Sequence, residues 1–188
     1  MEAAVRWSPH TTGDKDRFLV VDVADTTLTL NEVDSTSRKS LTYHTVSSYN
    51  KLPSFAAFDW SRTNPSIVAL GLVSGNAALV RLGSSSGIAS ETLTTFRIKQ
   101  QRKCNSIAFS SQDWLAVALD KTRSDVCLNI YDASVGSGGG GGDISHDPIR
   151  RLCAAELVSS VRFFPLNPRE IVVGAQRAFI RLYDLRGK

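Results

Sequence analysis

Ser106-Ile107-Ala108-Phe109-Ser110, then Trp114-Leu115-Ala116-Val117-Ala118-Leu119, then Val126-Cys127-Leu128-Asn129-Ile130-Tyr131-Asp132: these three runs decide the fold. A short apolar segment ends in an aromatic and a polar turn. A continuous apolar run follows, then a tight turn, then an alternating run. Each run is too short for a stable helix and rich in Val, Ile, Leu and aromatics. Gly, Ser, Asn, Asp or Pro bounds it, which is the mark of a strand.

The same order recurs outward from this stretch. Upstream lie Val5-Arg6-Trp7-Ser8-Pro9, Phe18-Leu19-Val20-Val21 and Leu28-Thr29-Leu30-Asn31-Glu32-Val33. Next come Ala56-Ala57-Phe58-Asp59-Trp60-Ser61, Ile67-Val68-Ala69-Leu70 and Leu79-Val80-Arg81-Leu82. Downstream lie Ser160-Val161-Arg162-Phe163-Phe164-Pro165, Ile171-Val172-Val173-Gly174 and Phe179-Ile180-Arg181-Leu182-Tyr183-Asp184. Taking Trp7, Trp60, Phe109 and Phe164 as anchors, the separations are 53, 49 and 55 residues. A fixed period of this size is the signature of a repeat architecture.

A more polar fourth run follows each of the first three copies, at Leu41–Val46, Thr92–Ile98 and Ile149–Ala154. Each unit is therefore four strands. One four-stranded sheet cannot cover both of its faces. Packing copies around an axis does cover them, and that arrangement is a β-propeller. The unbroken apolar second strand agrees, since a strand buried on both faces need not alternate. The endings Ile130-Tyr131-Asp132 and Leu182-Tyr183-Asp184 favour the WD-repeat variety, with Tyr-Asp in place of Trp-Asp. There the aromatic packs between blades and the Asp accepts hydrogen bonds in the following turn. The Gly-His dipeptide usual for that variety is absent from all four copies.

The expected fold is thus all-β, a WD-repeat propeller with about four blades. Its units are approximately 1–50, 51–100, 101–155 and 156–188. The fourth reaches Gly187-Lys188 without its outer strand, so about half a propeller is expected, with open faces that favour association over a stable monomer.

Composition excludes several classes. Of 188 residues, 42% are hydrophobic and 21% charged, as in ordinary globular domains. The net charge of +4 is too small to argue for nucleic acid. Three cysteines, Cys104, Cys127 and Cys153, are too few and too widely spaced for a disulfide framework or a zinc site. No run approaches the roughly 18 to 20 apolar residues of a membrane span. The opening residues carry no charged-then-apolar leader. A cytoplasmic protein without membrane insertion is expected.

Chemistry is sparse. The run Gly136-Ser137-Gly138-Gly139-Gly140-Gly141-Gly142 is followed by Asp143-Ile144-Ser145-His146, not by a helix start and lysine. It reads as a flexible loop over 136–147 between two strands, not a phosphate cradle. His10, His44 and His146 are isolated, and nothing resembles a nucleophile elbow or paired carboxylates. No catalytic residue, cofactor or metal is expected. A propeller enzyme would use the central channel, where the innermost strands offer chiefly Arg6, Asp59 and Arg162. Two charged stretches remain, Lys99-Gln100-Gln101-Arg102-Lys103 and Asp120-Lys121-Thr122-Arg123-Ser124-Asp125. The first lacks the dense basic and aromatic pattern of a nucleic-acid stripe. The second is the turn between the second and third strands of the third unit. Propeller turns project onto the flat faces where partners dock. Asp120, Lys121, Arg123 and Asp125 are accordingly the candidate partner-contact residues, against the plainer alternative of a solvated turn.

Several segments together carry a family resemblance. Lys103-Cys104-Asn105-Ser106-Ile107-Ala108-Phe109, followed by Asp113-Trp114-Leu115-Ala116 and Leu119-Asp120-Lys121-Thr122-Arg123-Ser124-Asp125, resembles a signature of the Mio (missing oocyte) family. Trp7-Ser8-Pro9-His10 with Asp16-Arg17-Phe18-Leu19-Val20 resembles that family's opening. Ala178 to Arg186 resembles its "IFDLR" segment, and the glycine run falls where the family carries a variable insert. The resemblance implies a seven-bladed N-terminal propeller, then an α-helical solenoid and a C-terminal zinc-binding region. It implies a non-enzymatic subunit of the SEA/GATOR complex at the vacuole or lysosome. That complex promotes nutrient signalling to the target-of-rapamycin kinase complex. The implied partners are companion propellers and other subunits. A WD-repeat adaptor of another assembly (a coat, a ubiquitin ligase or a ribosome-biogenesis complex) is the alternative reading of the residues.

Overall fold

Alternation and turn chemistry give fifteen strands in the described residues. The computed structural model describes residues 3–10, 16–22, 24–34, 42–50, 52–83, 89–123, 125–134, 147–154, 156–176 and 179–187. The first sheet is β1 (Ala3–Trp7), β2 (Arg17–Asp22), β3 (Thr27–Asp34) and β4 (Thr42–Tyr49). The second is β5 (Phe55–Trp60), β6 (Ile67–Leu72), β7 (Ala77–Arg81) and β8 (Glu91–Phe96). The third is β9 (Cys104–Phe109), β10 (Trp114–Leu119), β11 (Val126–Asp132) and β12 (Arg150–Ala154). The fourth is β13 (Val158–Phe163), β14 (Glu170–Ala175) and β15 (Phe179–Asp184). Each sheet is an antiparallel meander in chain order, four-stranded three times and then three-stranded among the described residues. Among the described residues of 55–132 there is no helix of three turns. The glycine run lies outside the described residues.

Three apolar cores join the four sheets in series. Leu19, Val21, Leu28 and Leu30 of the first meet Phe58, Trp60, Leu70 and Val80 of the second. The opposite face of the second sheet, with Ala69, Leu79 and Phe96, meets Ile107, Leu115, Val117 and Tyr131 of the third. The third turns Ala116, Ala118, Leu128 and Ile130 toward Val161, Ile171 and Val173 of the fourth. Each sheet thus solves its neighbour's exposure problem, which is the logic of propeller blades. Close approach is enforced at Gly71, where a Cβ would come within 2.4 Å of the Cys104 Sγ.

The third-strand endings behave as the WD reading requires. Tyr131 is buried between blades, its ring 4.7 Å from that of Phe96. Asp132 accepts a hydrogen bond from the Ser134 amide (2.9 Å), and Asp184 accepts one from the Arg186 amide (2.9 Å).

The register corrects one anchor. Trp7, Trp60 and Phe109 pair with Phe18, Val68 and Leu115, and the equivalent residue in the fourth sheet is Phe163, paired with Ile171. Phe164 takes instead the place of Ser8, Ser61 and Ser110, whose amides bond across to the second strand as that of Phe164 does. Those serines also close the turn with their hydroxyls. Ser61 Oγ accepts from the amides of Thr63 and Asn64, and Ser110 Oγ from those of Gln112 and Trp114. The outer strand of the first sheet also extends to Tyr49, three residues beyond the expected run.

Candidate interaction surfaces

The candidate contact turn connects β10 to β11 at one end of the sheets. Its two acids and two bases do different work. Asp120 is tied down: its amide donates to the Lys103 carbonyl (3.0 Å), and Asn105 Nδ2 donates to its carboxylate (2.8 Å). Asp125 accepts from the Val126 amide (2.8 Å) and from Arg102 Nη2 (2.9 Å). Lys121 and Arg123 are exposed. The acids therefore shape the turn and the bases form its outward surface.

Two organising residues escape a reading of the turn alone. The Arg102 side chain is 4% exposed. It also donates to Thr122 Oγ1 (3.2 Å) and the Val126 carbonyl (2.7 Å). Its amide bonds to the Ser74 carbonyl (3.1 Å) of the preceding blade. Gly75 makes room there, at φ +89°, with the Arg102 carbonyl where a Cβ would stand. Asn105 reaches the next blade, donating to the Val158 carbonyl (3.1 Å). The signal for both lay in the sequence, as an arginine in a basic run and an asparagine beside Cys104.

The opposite end of the sheets opens on the innermost strands. Arg6 of β1 pairs with Asp59 of β5 and lies 4.8 Å over the Phe58 ring. The other oxygen of Asp59 accepts from the Phe109 amide of β9 (2.8 Å). One buried carboxylate thus serves an arginine of the blade before it and an unpaired strand amide of the blade after it. In the next gap Ser106 Oγ accepts from the Val161 amide (3.3 Å). Arg162 Nη1 donates to the carbonyls of Val161 (2.9 Å) and Ile107 (3.3 Å). Arg6, Asp59 and Arg162 do converge, as the sequence proposed for a channel, but as an interblade lattice. Among the described residues no histidine or second carboxylate joins them.

The remaining chemistry is structural. His10 Nε2 sits 2.8 Å from the Ser61 carbonyl, and His44 Nδ1 2.9 Å from Asp34 Oδ1. His146 lies outside the described residues. All three cysteines are buried. Burial pushes the Cys104 thiol up to about 12 and the Tyr131 hydroxyl up to about 12. Among the described residues no group of three His, Cys, Asp or Glu could hold a metal, and no helix is long and apolar enough to cross a membrane.

No protein-family model matches the chain. Individual proteins do. "GATOR2 complex protein MIOS" of Danio rerio is 23% identical over 97% of the chain and 24% of its own length. "GATOR2 complex protein MIOS-A" of Xenopus laevis is 30% identical over 69% of the chain and 16% of its own length. "GATOR2 complex protein MIOS" of Dictyostelium discoideum is 23% identical over 79% of the chain and 17% of its own length. The chain thus spans about a quarter or less of these relatives. Among solved structures, the β-propeller domain of Myceliophteria thermophila Cps50 (Swd1) superposes with a TM-score of 0.66 at 12% identity. That match covers 96% of the chain and 53% of the domain. Chaetomium thermophilum Raptor superposes with a TM-score of 0.67 at 11% identity, over 98% of the chain and 16% of Raptor. These likenesses establish the propeller fold, and the sequence matches make the chain a relative of the Mio proteins.

Proposed function

We propose that this chain acts as a non-catalytic interaction scaffold, the propeller part of a Mio-type subunit in a GATOR2-like assembly. The observation that carries the reading is the sequence match, along 97% of the chain, to a protein named for the GATOR2 complex. The residues agree with it. Arg6 and Asp59 on the innermost strands are spent on interblade bonds, and burial keeps the Cys104 and Cys153 thiols protonated. The units 1–50, 51–100, 101–155 and 156–188 are blades of one propeller. Its partners are other protein subunits, including companion propellers. It works in the cytoplasm, peripheral to the vacuolar or lysosomal membrane, in nutrient signalling to the target-of-rapamycin kinase complex.

On this reading Lys121 and Arg123 contact a partner subunit, while Asp120 and Asp125 hold the turn in shape. The test is a tag at the native locus, followed by purification and amino-acid withdrawal and refeeding. Recovery of a stable multi-propeller complex, with blunted kinase reactivation on deletion, is the expected result. A protein that sediments alone, with kinase reactivation unchanged on deletion, overturns it. Lys121→Glu with Arg123→Glu is expected to weaken subunit recovery without lowering the melting temperature.

A further inference from the structure

The turn end of the innermost strands opens into a cleft of about 310 Å³ lined by Arg6, Trp7, Asp59, Trp60, Arg62 and Arg162. Three guanidinium groups face one carboxylate there. That carboxylate is already consumed, one oxygen by Arg6 and the other by the Phe109 amide. Arg62 and Arg162 are exposed and pair with no acid among the described residues. Arg162 is held from behind, since a single nitrogen makes both of its carbonyl bonds. Its remaining donors meet no acceptor among the described residues. On the adjoining turn, Asp113 accepts from the Thr63 hydroxyl. Trp60, buried, lines the floor of the cleft.

From this arrangement we infer that the cleft is a docking site for an acidic peptide segment of a partner protein. Planar guanidinium forks match carboxylates two bonds at a time. A mouth with two arginines that pair with no acid among the described residues suits one or two Glu or Asp side chains. Nucleic acid is the poorer fit, because it needs a basic track with several stacking platforms. The site lies at the opposite end of the sheets from Lys121 and Arg123, so the two surfaces engage different partners. The inference rests on the scaffold reading for its biological meaning, but its test does not. A purified chain and a synthetic peptide suffice, and failure leaves the complex-recovery experiment untouched.

The experiment is fluorescence polarisation of the 188-residue chain with a labelled Glu-rich peptide and its Gln-substituted counterpart. Oligomeric state is matched by light scattering. The Glu peptide is expected to bind at least about tenfold more tightly. Arg62→Gln with Arg162→Gln removes that preference. Lys99→Gln with Lys103→Gln, which deletes the same charge on the other face, changes affinity by less than about twofold. Arg62→Glu alone alters only an exposed turn residue. It is expected to abolish binding at an unchanged melting temperature, which covers any folding defect in the double variant. Equal binding of the two peptides, or equal weakening by both double variants, overturns the proposal. So does a single-stranded oligonucleotide that binds more tightly and is lost in the same variants.

Discussion

The second strands of the two inner sheets differ from those of the two outer ones. Every residue of β6 is buried, and all of β10 after Trp114. In β2 and β14 burial alternates, because only one face is covered. Yet all four read alike in sequence: Phe-Leu-Val-Val, Ile-Val-Ala-Leu, Leu-Ala-Val-Ala and Ile-Val-Val. The outer pair carries an apolar face that nothing within the described residues covers. On the first sheet it shows Val5, Trp7 and Tyr43, with Phe18 stacked edge-on between Trp7 and Tyr43. On the fourth it shows Ile180 and Leu182, exposed to 76% and 68%. Each sheet is therefore written for two neighbours, and burial is decided by which neighbours are present.

The largest expected effect separates an inner from an outer position with the same side chain. Leu115 is fully buried between two blades, and Leu115→Ala is expected to cost about 2–5 kcal/mol through lost transfer energy and a cavity. Leu182→Ala, on the open face, is expected to stay within about 0.5 kcal/mol. Urea unfolding measures both. Equal losses would mean that the outer face is covered and the comparison is broken.

Next in size is the joint at Asp59, which links three sheets. Asp59→Ala strips the Phe109 amide of its acceptor and Arg6 of its partner. A loss of about 1–3 kcal/mol is expected, set mainly by the buried amide, because Arg6 is partly solvated. Asp59→Asn keeps an acceptor and should recover part of it. If Asp59→Ala unfolds no more easily than the parent, the interblade cores alone hold the sheets together.

How far the sequence revealed all this depends on whether the signal was local. Strand order, turns and period follow from side-chain alternation and Gly, Ser, Asp or Pro breaks, and they emerge as read. The Tyr131 and Asp132 roles were likewise legible, since both are local to a strand ending. The anchor at Phe164 misled because Phe163 and Phe164 are adjacent, and only cross-strand register shows which one packs. The Arg6–Asp59 pair spans 53 residues and two sheets, so its members were visible but their pairing was not. For the same reason the basic run over 99–103 gave no sign that Arg102 is buried under the neighbouring turn. The charge pattern of 120–125 marks the turn, but the division between its shaping acids and its exposed bases depends on contacts with Lys103, Asn105 and Arg102 that the pattern does not carry.

A smaller effect tests the open faces. Exposed apolar patches with an unpaired strand edge drive association. The chain is expected to elute above its 20.4 kDa mass. Trp7→Lys combined with Leu182→Lys should shift it toward that mass while melting within about 0.5 kcal/mol of the parent, as surface changes do. Light scattering coupled to size exclusion reads the result. A parent chain that is already monomeric would show that these faces tolerate water.

The smallest effect sits at the tip of the fourth sheet. Asp184 accepts from both Nε and Nη2 of Arg186 and from its amide, and these bonds hold the carboxyl down at about 2. Its folded value is below its unfolded one, so the interaction contributes fully above the ordinary carboxylate range. It is lost as pH falls from about 3.8 through about 2. Both partners are exposed, so water and salt screen the pair and its share of stability is slight. The observable is therefore the titration itself. Carbon-detected NMR should place the Asp184 midpoint near 2, and Arg186→Gln should raise it toward the value of a free aspartate. Melting temperature above pH 5 should barely move in that variant. A clear drop would mean that the turn after β15 packs against something as firmly as the inner blades pack against each other, and the contrast between inner and outer sheets would have to be redrawn.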